Sequence, residues 1–269
     1  MEFETLRLKV DGVDTIVKAI GSGPSVLAFH GAATIEGYRW AEGLADRFRV
    51  YHPFHPGFGE SAAAPHIIGM QDVIIHYLHL LSLLKLDRPH LVGHSMGGWM
   101  AAELAAVAGE RFHRLVLNAP VGLNHPDYPG TKLSSVSPEE FPAYLAHNVA
   151  VALRYFPGGA EAPPEQEFAA IRKREGQAVS NIVKTHGMGH PNLGRWLRRI
   201  PNETLIVWGE KDRVQPPGQA SLWAREIKNS RVYVVSGVGH FAMQEEPNTV
   251  RVIGDFLAGS MPSGNSGMA

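Results

Sequence analysis

The sequence predicts an α/β fold: a mostly parallel sheet with helices on both faces. Short apolar segments alternate with segments of helical spacing. Most of the short segments are continuous apolar runs, as expected for strands covered on both sides, rather than the alternating pattern of half-exposed ones. One long interruption breaks the alternation. Roughly 75 residues, from Asn124 to Pro201, hold many prolines and no clear strand.

Taken in order, Phe3 to Lys18 alternates around Asp11-Gly12 and reads as a β-hairpin. Val26 to Phe29 is a buried strand running into His30-Gly31. Arg49 to Tyr51 is another, followed by the Pro- and Gly-rich stretch His52 to Gly59. Asp72 to Leu86 has helical spacing, Pro89 to Val92 is a strand, Gly97 to Ala108 an Ala-rich helix and Arg114 to Leu117 a strand. Strands at Thr204 to Trp208 and Arg231 to Val235 and a helix at Thr249 to Leu257 complete the pattern. The expected organisation is a core of residues 1–123 and 202–258, a helical cap over 124–201 and a flexible tail over 259–269. Within the cap, Ser137-Pro138-Glu139-Glu140 predicts a helix start with a capping box. Phe141, Tyr144, Leu145, Val149, Leu153, Tyr155 and Phe156 continue with helical spacing.

Composition excludes several function classes. With 25 basic and 26 acidic residues the chain lacks the basic excess of a nucleic-acid or membrane-surface binder. It has no cysteine, which removes disulfides, a thiol nucleophile and thiolate metal sites. Met1-Glu2-Phe3-Glu4 lacks the basic start and apolar core of a signal peptide. The most apolar long stretch, Val73 to Leu86, contains His76, His79 and Lys85 and is too short to span a bilayer. A cytoplasmic protein acting on a small molecule, without metal or cofactor, is expected. Oligomeric state leaves no mark on the sequence.

The chemistry centres on Gly93-His94-Ser95-Met96-Gly97, a G-x-S-x-G motif. A chain of this length meets that pattern by chance roughly one time in ten, so context decides. Here it follows a predicted strand and opens a predicted helix, the sharp turn that exposes a serine hydroxyl at the top of a sheet. A serine hydroxyl needs a base. In such a layout the acid and then the histidine follow further along the chain. Asp212 follows the strand Thr204 to Trp208, and His240 follows the strand Arg231 to Val235. Ser95, His240 and Asp212 are therefore the expected nucleophile, base and orienting acid, with Glu210 the competing carboxylate. The oxyanion donors should be the backbone N–H of Met96 and that of Ala32 in His30-Gly31-Ala32-Ala33, ahead of Ala33. His30 reads as a loop brace. The expected substrate pocket is apolar, lined by Ala33, Leu123, Phe141, Phe156 and Phe241, with Met96 in its floor.

On these residues the chain resembles the α/β-hydrolase superfamily, in the branch with a helical cap between the sixth and seventh strands. The signs are His30-Gly31, His55-Pro56-Gly57-Phe58-Gly59-Glu60-Ser61, Gly93 to Gly98, Trp208-Gly209-Glu210-Lys211-Asp212-Arg213 and Gly237-Val238-Gly239-His240-Phe241. The resemblance implies an eight-stranded, mostly parallel sheet and hydrolysis without a cofactor. Relatives with an aspartate nucleophile are disfavoured by Ser95. Relatives with the acid after the sixth strand are disfavoured by Asn118, which has no carboxylate. Carboxylic-ester hydrolysis through an acyl-enzyme on Ser95 is the leading expectation. The alternative is carbon–carbon bond hydrolysis of vinylogous diketo acids. That group's usual sequence around the nucleophile is missing, and Phe241 stands where its members carry tryptophan. A non-catalytic ligand receptor on the same fold can keep a whole triad and stays in view.

Two decoys are set aside. Gly57-Phe58-Gly59-Glu60-Ser61-Ala62 fits a loose dinucleotide pattern, but Pro65 and Gly69 follow where a helix should open. His186 and His190 have metal-like spacing, but the two intervening glycines disfavour a helix and no third ligand is evident.

Overall fold

A computed structural model describes residues 1–260. The expected flexible tail lies outside the described residues from position 261 onward. The chain opens with the hairpin β1 (Glu4–Val10) and β2 (Val13–Ile20), joined at Asp11-Gly12, where both residues take positive φ. β3 (Ser25–Phe29), β4 (Arg49–Pro53), α1 (Met70–Leu83), β5 (His90–His94), α2 (Met96–Ala108) and β6 (Leu115–Asn118) follow. The insertion after β6 carries α3 (Phe141–Leu145), α4 (Val149–Leu153), α5 (Glu165–Ile182) and α6 (Leu193–Leu197). β7 (Thr204–Gly209), α7 (Gln219–Glu226), β8 (Ser230–Val235), α8 (Ala242–Glu245) and α9 (Asn248–Leu257) close the chain.

The eight strands form one sheet in the order β1-β2-β4-β3-β5-β6-β7-β8. Only β2 runs against its neighbours; every pairing from β4 to β8 is parallel. Side chains alternate between two cores, as the two-residue period of a strand requires. Leu27, Phe29, Leu91, Leu115, Leu117, Ile206 and Trp208 face one core, with α1, α2 and α7. Val26, Ala28, Val92, Val116, Leu205 and Val207 face the other, with α9 and the 3-10 turn at Arg39–Leu44. Both faces are buried, which is why these strands read as continuous apolar runs.

The order also places the site. From β3 the chain goes to β4 on one side, then crosses over to β5 on the other. Loops leaving the carboxyl ends of β3 and β5 therefore diverge and open a crevice, the usual position of a site in an open α/β sheet.

The insertion departs from expectation in detail. Ser137 and Glu140 do pair, Ser137 Oγ accepting the Glu140 N–H at 3.3 Å and donating to its carboxylate at 3.1 Å. They close a turn, however, and the helix proper starts at Phe141. The single helical run expected onward from Phe141 is two five-residue helices. Ala146 is extended, and Asn148 caps a new start by accepting the Ala150 N–H. A short polar residue offering a cap ends one helix and begins another. Ile35, Leu145, Ala152, Tyr155, Val214 and Phe241 form a third apolar cluster that fastens this segment to loops after β3, β7 and β8.

Candidate active site

Ser95 sits between β5 and α2 with φ 53° and ψ −117°, a conformation a β-carbon disfavours. Close packing holds it there. The Ser95 N–H donates to the Asn118 carbonyl at 2.9 Å, and its carbonyl accepts from Trp99 and Val121, both at 3.1 Å. A β-carbon on Gly93 would run into the backbone of Gly97 and Gly98, and one on Gly97 into the carbonyls of Phe29 and His30. The glycines of the motif are thus required by the turn that presents the serine.

His240 is buried on the loop after β8, its Nδ1 2.8 Å from Asp212 Oδ2. The other carboxylate oxygen accepts the Val214 and Gln215 N–H groups at 2.8 and 2.9 Å. A carboxylate offers no proton, so the imidazole carries its proton on Nδ1 and leaves Nε2 bare. Ser95 and His240 line one cavity of about 60 Å³. Glu210 is elsewhere. It is exposed and held to about 2 by the Gly237 N–H, the Ser236 hydroxyl and Lys211.

Asn118, at the end of β6, pairs with His94 Nδ1 at 2.9 Å. The His94 ring lies 4.6 Å from that of His240, and burial, followed by the neighbouring His240, holds it well below the usual histidine range. His30 and His55 brace the loops after β3 and β4. His30 Nε2 accepts the His55 N–H at 3.1 Å, and the His55 ring returns a bond to the His30 carbonyl at 2.9 Å.

Of the expected oxyanion donors, Ala32 lines the cavity. Met96 is the first residue of α2, where a helical N–H lacks an intrahelical acceptor. The Gly31 N–H is already taken, donating to Glu36 Oε1 at 2.6 Å. Ala33, Phe141 and Phe241 also line the cavity. Leu123 and Phe156 do not, which corrects the sequence reading. The backbone turns at Gly122, φ 107°, and Leu123 packs toward Gly194. Phe156 stands edge-on to Phe141, ring centroids 6.1 Å apart, and lies tilted against Phe168.

The sequence reading missed three charged groups. Glu36 and Arg172 line the cavity itself. Glu175, fully buried on α5, accepts from the Thr34 hydroxyl at 2.6 Å, the Thr34 and Gly59 N–H groups at 3.3 and 3.2 Å, and Arg172 at 2.9 Å. A second, larger hollow of about 720 Å³ shares Ile35 and Arg172 with the inner cavity. Glu175→Ala strands three donors and a guanidinium, and we expect a loss of about 3 kcal/mol. A fall in the urea midpoint at constant m-value measures it. An unchanged midpoint contradicts the role of Glu175 as the tie between α5 and the loops.

A family model described as the alpha/beta hydrolase family matches residues 26–251. The chain belongs to that family. Among curated proteins it is 29% identical to a 2-hydroxy-6-oxo-2,4-heptadienoate hydrolase of Pseudomonas putida, over 95% of this chain and 93% of the relative. It is 28% identical to a 2-hydroxy-6-oxo-6-phenylhexa-2,4-dienoate hydrolase of Comamonas testosteroni, over 88% of each. Among solved structures it resembles in fold a serine hydrolase involved in carbazole degradation, with TM-score 0.77 and 23% identity over 96% of this chain and 99% of the other. A thermophilic esterase from Thermogutta terrifontis matches in fold with TM-score 0.75 and 20% identity, over 96% of this chain and all of the other. Among the described residues, no helix of this hydrolase is long and apolar enough to cross a membrane, and no group of three or more metal-ligating side chains is placed to hold an ion.

Proposed function

We propose that the chain is a serine hydrolase that cleaves the carbon–carbon bond of a vinylogous diketo acid. Ser95 is the nucleophile, His240 the base and Asp212 the acid that orients it. The 2.8 Å Asp212–His240 pair beside a cavity that Ser95 also lines supports the serine chemistry, and the likeness to two dienoate hydrolases supports the carbon–carbon bond as its target. His240 Nε2 takes the serine proton as Ser95 adds to the ketone carbon, and the Ala32 and Met96 N–H groups hold the oxyanion. Collapse breaks the bond to the vinylogous carbon of the diketo tautomer, its electrons delocalise on to the 2-oxo oxygen, and the proton taken up by His240 passes to the dienolate that leaves. Water then releases the acyl group from Ser95 as a carboxylic acid.

Two features support an acidic substrate. The curated relatives named above are hydrolases of 2-hydroxy-6-oxo dienoates. Arg172 brings a guanidinium to a wall otherwise formed largely by Ala33, Ile35, Leu133, Phe141 and Leu145, and a guanidinium matches a carboxylate. The inner cavity holds little more than one or two waters, so the body of the substrate takes the outer hollow, whose size suits a small molecule. Residues 124–201 are the cap. Leu133, Phe141, Leu145 and Arg172, all within it, support that assignment. Ester hydrolysis is the second reading, favoured by Phe241 in the place where carbon–carbon hydrolases carry tryptophan.

Purified protein should turn over 2-hydroxy-6-oxo-2,4-heptadienoate or its 6-phenyl analogue with a kcat/KM at least about 100-fold above that for phenyl acetate. The reverse ranking establishes the ester reading. Arg172→Met should raise KM for the acid by about 10- to 100-fold, the value of a charge-assisted bond, and leave the neutral ester's KM in place. Equal effects on both substrates would remove Arg172 as the carboxylate site.

A further inference from the structure

We infer that Glu36 is a working acid of the Ser95 site: it acts as a neutral carboxyl that offers its O–H to the bound substrate, and its ionisation shuts the site. The inference rests on Ser95 being the nucleophile. Glu36 lies on the loop after β3, 5% exposed, in the wall of the cavity that Ser95 and His240 share. Its Oε1 accepts the Gly31 N–H at 2.6 Å, which fixes the carboxyl against the oxyanion loop. The space a β-carbon on Gly31 would fill is 3.2 Å from Glu36 Oε1 and 3.3 Å from Ser95 Cβ. Gly31, the neighbour of the expected oxyanion donor Ala32, thus lies against both the carboxyl and the serine, which sets the carboxyl beside the oxyanion loop. Asp212 approaches His240 through Nδ1, on the other side of the imidazole from the bare Nε2. With Oε1 committed to Gly31, Oε2 is the oxygen that can carry a proton toward a ligand.

The surroundings favour the protonated form. Burial lifts the carboxyl to about 7, against the pull of the Gly31 N–H, its own N–H and His240, with Glu175 adding to the rise. The charged and titratable groups around it are His240 after β8, His94 on β5, Tyr155 after α4, and Arg172 and Glu175 on α5. Arg172 gives one nitrogen to Glu175 at 2.9 Å, and His94 is held neutral by burial. Among the described residues no cationic side chain pairs with the Glu36 carboxyl, whose bond goes to the Gly31 N–H.

The sign of the effect follows from position. During attack a negative charge develops on the oxyanion and a positive one on His240. The positive charge already has Asp212 at 2.8 Å. A second carboxylate gains little there, while beside the oxyanion loop it repels the charge that the Ala32 and Met96 N–H groups are meant to hold. As a neutral acid the same group adds a donor.

The experiment is the pH dependence of labelling by a rhodamine fluorophosphonate. This probe reads Ser95 and its oxyanion donors without reference to the natural substrate. In the native protein the second-order rate should fall above about 7, as Glu36 ionises. Glu36→Gln keeps an oxygen for Gly31 and a donor for the cavity but cannot ionise, so the falling limb should vanish. The ratio of rates at about pH 9 and about pH 6 should exceed that of the native protein by about tenfold or more. Glu36→Asp, which still titrates, should keep a falling limb, and thermal unfolding checks that both variants fold. Superimposable native and Glu36→Gln profiles would overturn the inference, as would a native rate that climbs through neutrality and is lost in Glu36→Gln. Absence of labelling on Ser95 in the native protein is a different failure, that of the nucleophile itself.

Discussion

Ser95→Ala should abolish fluorophosphonate labelling and lower kcat by about 10⁴-fold or more, with the fold intact. The size follows from what the residue does. The whole constellation acts as one unit, so removing the nucleophile forfeits covalent catalysis and makes His240 and Asp212 useless at a stroke. What survives is binding and the oxyanion donors, which lie on the backbone. The fold should tolerate the change because the turn is held by main-chain bonds: Ser95 N–H to Asn118, and Trp99 and Val121 to the Ser95 carbonyl. Relief of strain is available only to glycine, and alanine keeps the β-carbon, so stability should move by less than about 1 kcal/mol. Mass spectrometry of the labelled native protein should find the adduct on Ser95. An adduct on another serine, or a Ser95→Ala protein that retains its turnover, ends the assignment.

The parts of the site that could be read from the sequence are those fixed by backbone geometry. Gly93 and Gly97 must be small because the turn brings Phe29, His30 and Gly98 within contact of them, so a spacing of small residues around a serine carries real information. The alternation of Leu27 and Phe29 with Val26 and Ala28 was legible as an uninterrupted run, because both faces of the sheet are covered. Glu36, Arg172 and Glu175 were not legible. Glu36 stands alone in a loop without periodicity, and Arg172-Lys173-Arg174-Glu175 is a run of charges with no motif around it. Only the docking of α5 onto Thr34 and Gly59 turns two of those four residues inward. The same limit explains Leu123 and Phe156. Apolar character predicted that both would be covered, but which of several apolar neighbours meets the substrate depends on the turn at Gly122 and on the packing of Phe156 against Phe141 and Phe168. The helix α7 had no counterpart in the sequence reading at all; its buried positions are Gln219, Ala220, Leu222 and Trp223, and with a polar and a small residue among the four they show no clear apolar stripe.

Asp212→Asn should cost on the order of 10⁴ in kcat, the loss seen when a serine protease of unrelated fold exchanges its triad aspartate for asparagine. The carboxylate accepts three hydrogen bonds here, from Val214, Gln215 and His240 Nδ1. An asparagine can keep its oxygen on the two backbone N–H groups at 2.8 and 2.9 Å, which leaves its NH₂ facing His240. A donor there demands that Nδ1 be the acceptor. The ring proton then moves to Nε2, the nitrogen that must take the proton from Ser95, and the base is lost with little change of shape. The buried imidazolium that forms during attack also loses its counter-charge. Glu210→Gln is the matched control, two residues away. That carboxylate serves Ser236 and Gly237 in an exposed turn, so its loss should leave kcat within about threefold. Steady-state kinetics on the two variants, with near-ultraviolet circular dichroism to confirm native packing, decides between them. A Glu210→Gln protein more impaired than Asp212→Asn would move the acid of the triad to Glu210, against the 2.8 Å contact that places it at Asp212.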